Sequence, residues 1–103
     1  MSWDRQITIK TDQEINIMRE AGRINAEALA AARNIIQPGV TTADLNAAAE
    51  EVLRKYGCYS PFKGYPGPYP YPASTNTSVN YEMVHGIPGK RKLKEGDIVS
   101  VDC

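Results

Sequence analysis

Ser78-Val79-Asn80-Tyr81-Glu82-Met83-Val84-His85-Gly86-Ile87-Pro88-Gly89, followed by Gly96-Asp97-Ile98-Val99-Ser100-Val101-Asp102, decides how this chain folds. The stretch places the only histidine of the 103 residues on a Gly/Pro turn and a carboxylate near the end of a β-like run. Two strands are expected, over Ser74 to Val79 and Ile98 to Cys103, joined by that turn and the charged segment from Lys90 to Asp97. In the second strand, alternation sets Val99, Val101 and Cys103 on one face and Ile98, Ser100 and Asp102 on the other. A carboxylate among apolar neighbours is costly to bury unless a cation or several donors compensate it. Asp102 is therefore either a ligand for a divalent cation or a solvated strand end. His85 has the same two sides, a group acting on a ligand or a hydrogen-bonding surface residue. Gly86 and Pro88 fix the backbone around it and let another chain approach closely.

Upstream, Thr11-Asp12-Gln13-Glu14 has the Thr-x-x-Glu form of a capping box and opens a helix. Ile15, Met18, Gly22, Asn25, Leu29, Ala32 and Ile36 recur at three- and four-residue steps and form its expected inner stripe, and Pro38-Gly39 ends it. Thr41 or Thr42 caps a second helix through Leu45, Ala48, Val52 and Leu53 to Tyr56, with Gly57 suited to a left-handed position just beyond. A short strand over Ile7 to Ile9 is expected before the first helix. Two amphipathic helices need a further layer to cover, and the β-branched C-terminal third supplies it, which makes an α+β domain.

Between Pro61 and Pro72 the run Pro-Phe-Lys-Gly-Tyr-Pro-Gly-Pro-Tyr-Pro-Tyr-Pro lacks the donors of an interior strand or helix and must be a loop. Its rings either wall a ligand pocket or cover the edge of the core. Lys90-Arg91-Lys92 with Lys94 is a compact basic run, either a phosphate or RNA contact or a solvated loop. Twelve basic and twelve acidic residues cancel, so no global field favours DNA or a membrane surface. Met1 to Arg5 lack the apolar core of a signal peptide and no run is long enough to span a bilayer, so a cytoplasmic protein is expected. Cys58 and Cys103 define neither a disulfide framework nor a zinc site.

Several ordered motifs together resemble the type I methionine aminopeptidases, metallopeptidases of the pita-bread fold. They are Met18-Arg19-Glu20-Ala21-Gly22-Arg23, Pro38-Gly39-Val40-Thr41-Thr42, Phe62-Lys63-Gly64-Tyr65, Ser78-Val79-Asn80 through His85-Gly86-Ile87-Pro88, and Leu93-Lys94-Glu95-Gly96-Asp97-Ile98-Val99-Ser100-Val101-Asp102. The resemblance implies the N-terminal half of a pita-bread fold, two amphipathic helices on an antiparallel sheet, with residues 1–103 a single partial domain that stops at the first metal-ligand strand. It implies metal-dependent removal of the initiator methionine from nascent proteins, with two divalent ions (Co, Mn, Fe or Zn) in the complete enzyme and the ribosome as a possible partner.

Carried over residue by residue, the resemblance makes Asp102 the first metal-binding carboxylate and His85 a substrate contact beside the scissile amide. Tyr65 and Tyr71 line the methionine side-chain pocket, with Phe62 and Asn76 beside them. Asn80 and Glu82 match positions whose backbone carbonyls hold a monovalent cation. Gly64 to Pro72 is about two residues longer than the usual loop of this family, which loosens the pairing of Tyr71. One carboxylate cannot hold two metals, so stable metal binding and catalysis by this chain alone are not expected, and exposed sheet surface favours self-association. Two alternatives stand beside this, a non-catalytic pita-bread-like protein-interaction module and a relative that cleaves other N-terminal residues.

Overall fold

A computed structural model of the protein describes residues 7–103. Helix α1 runs over Asp12–Asn34, helix α2 over Thr42–Lys55, strand β1 over Asn76–Val79 and strand β2 over Val99–Asp102. The expectation for Met1 to Arg5 lies outside the described residues. No helix among the described residues is long and apolar enough to cross a membrane.

Both helices start where their caps dictate. Thr11 Oγ1 accepts from the Glu14 amide at 3.1 Å while Glu14 Oε1 accepts from the Thr11 amide at 2.9 Å. Thr41 and Asp44 repeat the exchange at α2, at 3.1 and 2.9 Å. Each box satisfies two amides that a helix start leaves unpaired. Gly57, at φ 68°, takes the left-handed position after α2.

The inner face of α1 differs from the expected stripe. Ile24, Ala28 and Ala32 are buried, whereas Ile15 and Met18 stand in solvent, and only Ala32 is shared with the stripe. The cause is the partner: Ala28 meets Ala49 and Leu53 of α2, and small residues there let the helices approach closely. The bulkier residues of the first turns lie beyond the reach of α2 and the sheet. The strand expected over Ile7 to Ile9 is also absent, since residues 7–10 carry no regular structure and Ile7 and Ile9 are 91% and 90% exposed. A three-residue alternation has too few ladder bonds to hold an extended segment without a neighbouring edge.

The sheet is antiparallel with Asn76 opposite Asp102, Thr77 opposite Val101, Ser78 opposite Ser100 and Val79 opposite Val99. As the alternation requires, Val99, Val101 and Cys103 are half-buried, and Ser100 and Asp102 are exposed. Val79 joins Ala32, Leu45 and Leu93 in one core cluster, with Val40, Val99 and Val101 packed against it. Full burial of Leu45 contributes about 2 kcal/mol. The basic run stays in solvent, while its backbone lies along the start of α2: the Gly39 amide donates to Leu93, Thr42 to Arg91 and Ala43 to Gly89.

Candidate functional site

Phe62, Tyr65, Tyr71, Asn76, His85 and Asp102 line one open cleft of about 460 Å³. The sheet register explains two of them. Asn76 and Asp102 are directly opposite, so their side chains project from the same face, the one turned away from the helices.

The aromatic wall is pinned by hydrogen bonds from its own loop. The Tyr71 hydroxyl donates to the Thr75 carbonyl at 2.8 Å, and the Gly64 and Tyr71 amides close the loop onto Tyr71 and Tyr65 at 2.7 and 3.1 Å. Partial burial, and then the negative charge of Asp102, push the Tyr71 hydroxyl above the usual phenol range. Buried Ser60 donates to the Ser74 carbonyl at 2.9 Å and accepts from the Phe62 amide at 3.1 Å, which sets the backbone of Phe62 against the entry to β1.

His85 reaches the cleft through an uncommon backbone conformation. Its φ is 59°, in the left-handed region, and the imidazole is exposed. The following residue holds it there: the Gly86 amide donates to Ser78 Oγ at 3.0 Å, and the Gly86 carbonyl accepts from the Thr77 amide at 2.8 Å. The turn is thus bonded to the outer edge of β1, opposite the edge that pairs with β2.

Asn80 and Glu82 sit apart from the cleft. Asn80, at φ 53°, donates from Nδ2 to Asp97 at 2.9 Å and accepts from the Ile98 amide at 3.0 Å, while Glu82 Oε1 accepts from the Val79 amide at 2.9 Å. Their side chains close the turn that follows β1. Cys58 and Cys103 are free thiols, and burial, then the Asp102 charge, raise the Cys103 thiol above its ordinary value.

One histidine and one carboxylate thus meet an aromatic wall in a cleft carried by the sheet and its helices. The chain belongs to the metallopeptidase family M24, whose model matches residues 16–103. Its curated relatives include the methionine aminopeptidase of Clostridium acetobutylicum, 53% identical over 94% of this chain and 38% of that protein, and methionine aminopeptidase 1 of Bacillus subtilis, 48% identical over 93% and 38%. The crystal structure of methionine aminopeptidase from Thermotoga maritima superposes with a TM-score of 0.85 at 46% identity, over 93% of this chain and 38% of that one. The chain therefore spans about 38% of the length of these relatives, and over that span it has the pita-bread arrangement of helices on an antiparallel pair.

The family name implies a metal, and the described residues can be tested against one. The cleft offers one carboxylate, Asp102, and one imidazole, His85. Among the described residues no group of three His, Cys, Asp or Glu side chains could hold a metal ion. These residues by themselves do not fit a two-metal centre, which needs several ligands on each ion.

Residues unread in the sequence are those that hold the cleft together: Ser60, Ser78 and Asn46, whose side chains bond to backbone far away in the chain. The unbroken polar run Ser74-Thr75-Asn76-Thr77-Ser78 was the local sign of the backbone and side chains they bond, and all five of its residues are buried.

Proposed function

We propose that the protein serves methionine aminopeptidase chemistry, the hydrolytic removal of the N-terminal methionine of nascent polypeptides. What supports this is one observation: six side chains scattered between positions 62 and 102 converge on a single cleft in a chain 53% identical to a methionine aminopeptidase. Phe62, Tyr65, Tyr71 and Asn76 receive the methionine side chain, whose burial against aromatic rings is worth about 2 kcal/mol. His85 donates a hydrogen bond to the reacting amide in this reading. Asp102 contributes one carboxylate ligand to a divalent site (Co, Mn, Fe or Zn). The carbonyls of Asn80 and Glu82 hold a monovalent cation. The reaction is cytoplasmic, with nascent chains as partners at the ribosome, and residues 1–103, a single partial domain, do not catalyse it unaided.

The test combines an intact mass of the protein as isolated with methionine release from a Met-Ala-Ser peptide in the presence of manganese or cobalt. Release by a longer product, lost on His85→Ala or Asp102→Ala, is the expected result. Release by a pure 103-residue chain would overturn the claim that one carboxylate is insufficient. Release by neither, with peptide binding intact in both variants, would instead favour an interaction module.

A further inference from the structure

Asn46 of α2 faces the junction between the aromatic loop and β1. Its Oδ1 accepts three hydrogen bonds, from the Ser74 amide at 3.0 Å, the Thr75 amide at 3.0 Å and Thr75 Oγ1 at 2.9 Å. Its Nδ2 donates to Glu50 Oε1 at 2.9 Å, and the Glu50 carboxylate in turn pairs with Lys63 Nζ at 3.2 Å. One amide side chain is thus bonded directly to the two residues before Asn76 and, through one carboxylate, to Lys63, which follows Phe62.

The dipeptide Ser74-Thr75 is the node of this arrangement. Its two amides go to Asn46, its Ser74 carbonyl accepts from Ser60, which also holds the Phe62 amide, and its Thr75 carbonyl accepts from Tyr71. Asn76 follows it directly. Three of the cleft-lining residues, Phe62, Tyr71 and Asn76, therefore take their positions from two peptide units whose donors end on one side chain. Ser74 and Thr75 are buried, so those donors have no water to turn to and would be left unsatisfied without Asn46. Partial burial raises the Glu50 carboxyl, and the bonds from Asn46 and Lys63 together outweigh that and hold it below its ordinary value.

We propose that Asn46 is the positioning residue of the cleft, setting the spacing of Phe62, Tyr71 and Asn76 and so its fit to an unbranched thioether side chain. The choice of ligand rests on the methionine reading above; the positioning does not. The role needs an acceptor at this place, and aspartate supplies one, but its second oxygen would face the Glu50 carboxylate where Asn46 Nδ2 now donates, so the aspartate is combined with Glu50→Gln, whose amide donates to it. Asn46→Asp with Glu50→Gln should keep the Ser74-Thr75 node, whereas Asn46→Ala should lose it.

The experiment is an NMR comparison of the wild-type protein, Asn46→Ala, Asn46→Asp combined with Glu50→Gln, and Ala28→Gly, each titrated with L-methioninamide. Ala28 lies on α1 in the helix–helix core, and glycine there weakens the helix without touching this node, so it serves as a control for general destabilisation. Expected for Asn46→Ala are amide exchange at Ser74 and Thr75 about tenfold faster, moved resonances for Phe62, Tyr71 and Asn76, and methioninamide affinity weakened about tenfold, the worth of roughly one net hydrogen bond. Asn46→Asp combined with Glu50→Gln should restore all three to within about threefold. Unchanged exchange and cleft resonances in Asn46→Ala, or equal movement of both in Ala28→Gly, would overturn the proposal. Failure of wild-type protein to bind methioninamide would sink the methionine reading alone, because the exchange and resonance readouts still decide the role of Asn46.

Discussion

A Cβ placed on Gly86 would lie 2.1 Å from the carbonyl oxygen of Thr77. That is backbone against backbone, so no side-chain rotation relieves it, and the two residues are also joined by the Thr77 amide bonding to the Gly86 carbonyl at 2.8 Å. The turn bearing His85 is therefore seated on β1 with no room for any residue but glycine. Gly86→Ala should force the turn off the strand and destabilise the protein by about 1–3 kcal/mol, as overpacking does elsewhere. Thermal unfolding together with the His85 imidazole NMR resonances would show it. A variant with wild-type stability and unmoved His85 resonances would mean that the turn is not held as described.

Thr77 carries the opposite opportunity. Its Oγ1 is the buried side-chain oxygen that lacks a hydrogen-bond partner among the described residues. A desolvated hydroxyl without a partner costs free energy, and a methyl of the same shape does not. Thr77→Val should raise stability by about 1 kcal/mol in urea denaturation. A loss of stability would show that the hydroxyl is bonded in solution, to a water for instance.

Asp97 ties the turn after β1 to the segment before β2. Its carboxylate accepts from Asn80 Nδ2 at 2.9 Å and from the Lys94 amide at 2.8 Å, and these bonds, Asn80 first, hold its pKa below the ordinary 3.8. Because the folded-state value is the lower one, the stabilisation is complete above the unfolded value and is lost as pH falls through the folded value. Stability should be level near neutral pH and decline below about pH 4. Asp97→Asn should flatten part of that decline in denaturation curves taken at pH 7 and pH 3; an unaltered slope would remove Asp97 from the account.

Apolar side chains stand in solvent around the turn that follows β1. Tyr81 and Met83 are 103% and 90% exposed, Val84 and Ile98 are exposed beside them, and among the described residues β2 is paired on one side only. Clustered apolar surface and an unpaired strand edge both favour association. Sedimentation should show concentration-dependent self-association that weakens in Ile98→Lys. A monodisperse monomer across the same range would count against it.

Much of the helical layer was open to sequence reading, because its causes are local. Thr11 with Glu14, Thr41 of the Thr41-Thr42 pair, and Gly57 act within one turn of the residues they serve, and the starts of both helices and the end of α2 follow from them. The strand alternation from Val99 to Asp102 was legible for the same reason. The buried stripe of α1 was not, since Ile15 and Met18 have the right spacing but nothing within reach to cover them, whereas Ala28 meets Ala49. Periodicity reports that a helix has an apolar face; the partner decides which part of it is used.

For the site, the sequence by itself determined which residue types were present and, through the family resemblance, which positions to expect at a site: Phe62, Tyr65, Tyr71, Asn76, His85 and Asp102. Only the tertiary structure decided that these six share one cleft. It did so through bonds spanning long stretches of chain, Asn46 to Ser74 and Thr75 and Ser60 to Ser74, and through the register that sets Asn76 against Asp102. Capping and alternation depend on neighbours a few residues away and so are written locally. Pairing distant polar groups depends on which donors folding buries together, and that is settled only once the helices and the sheet have packed.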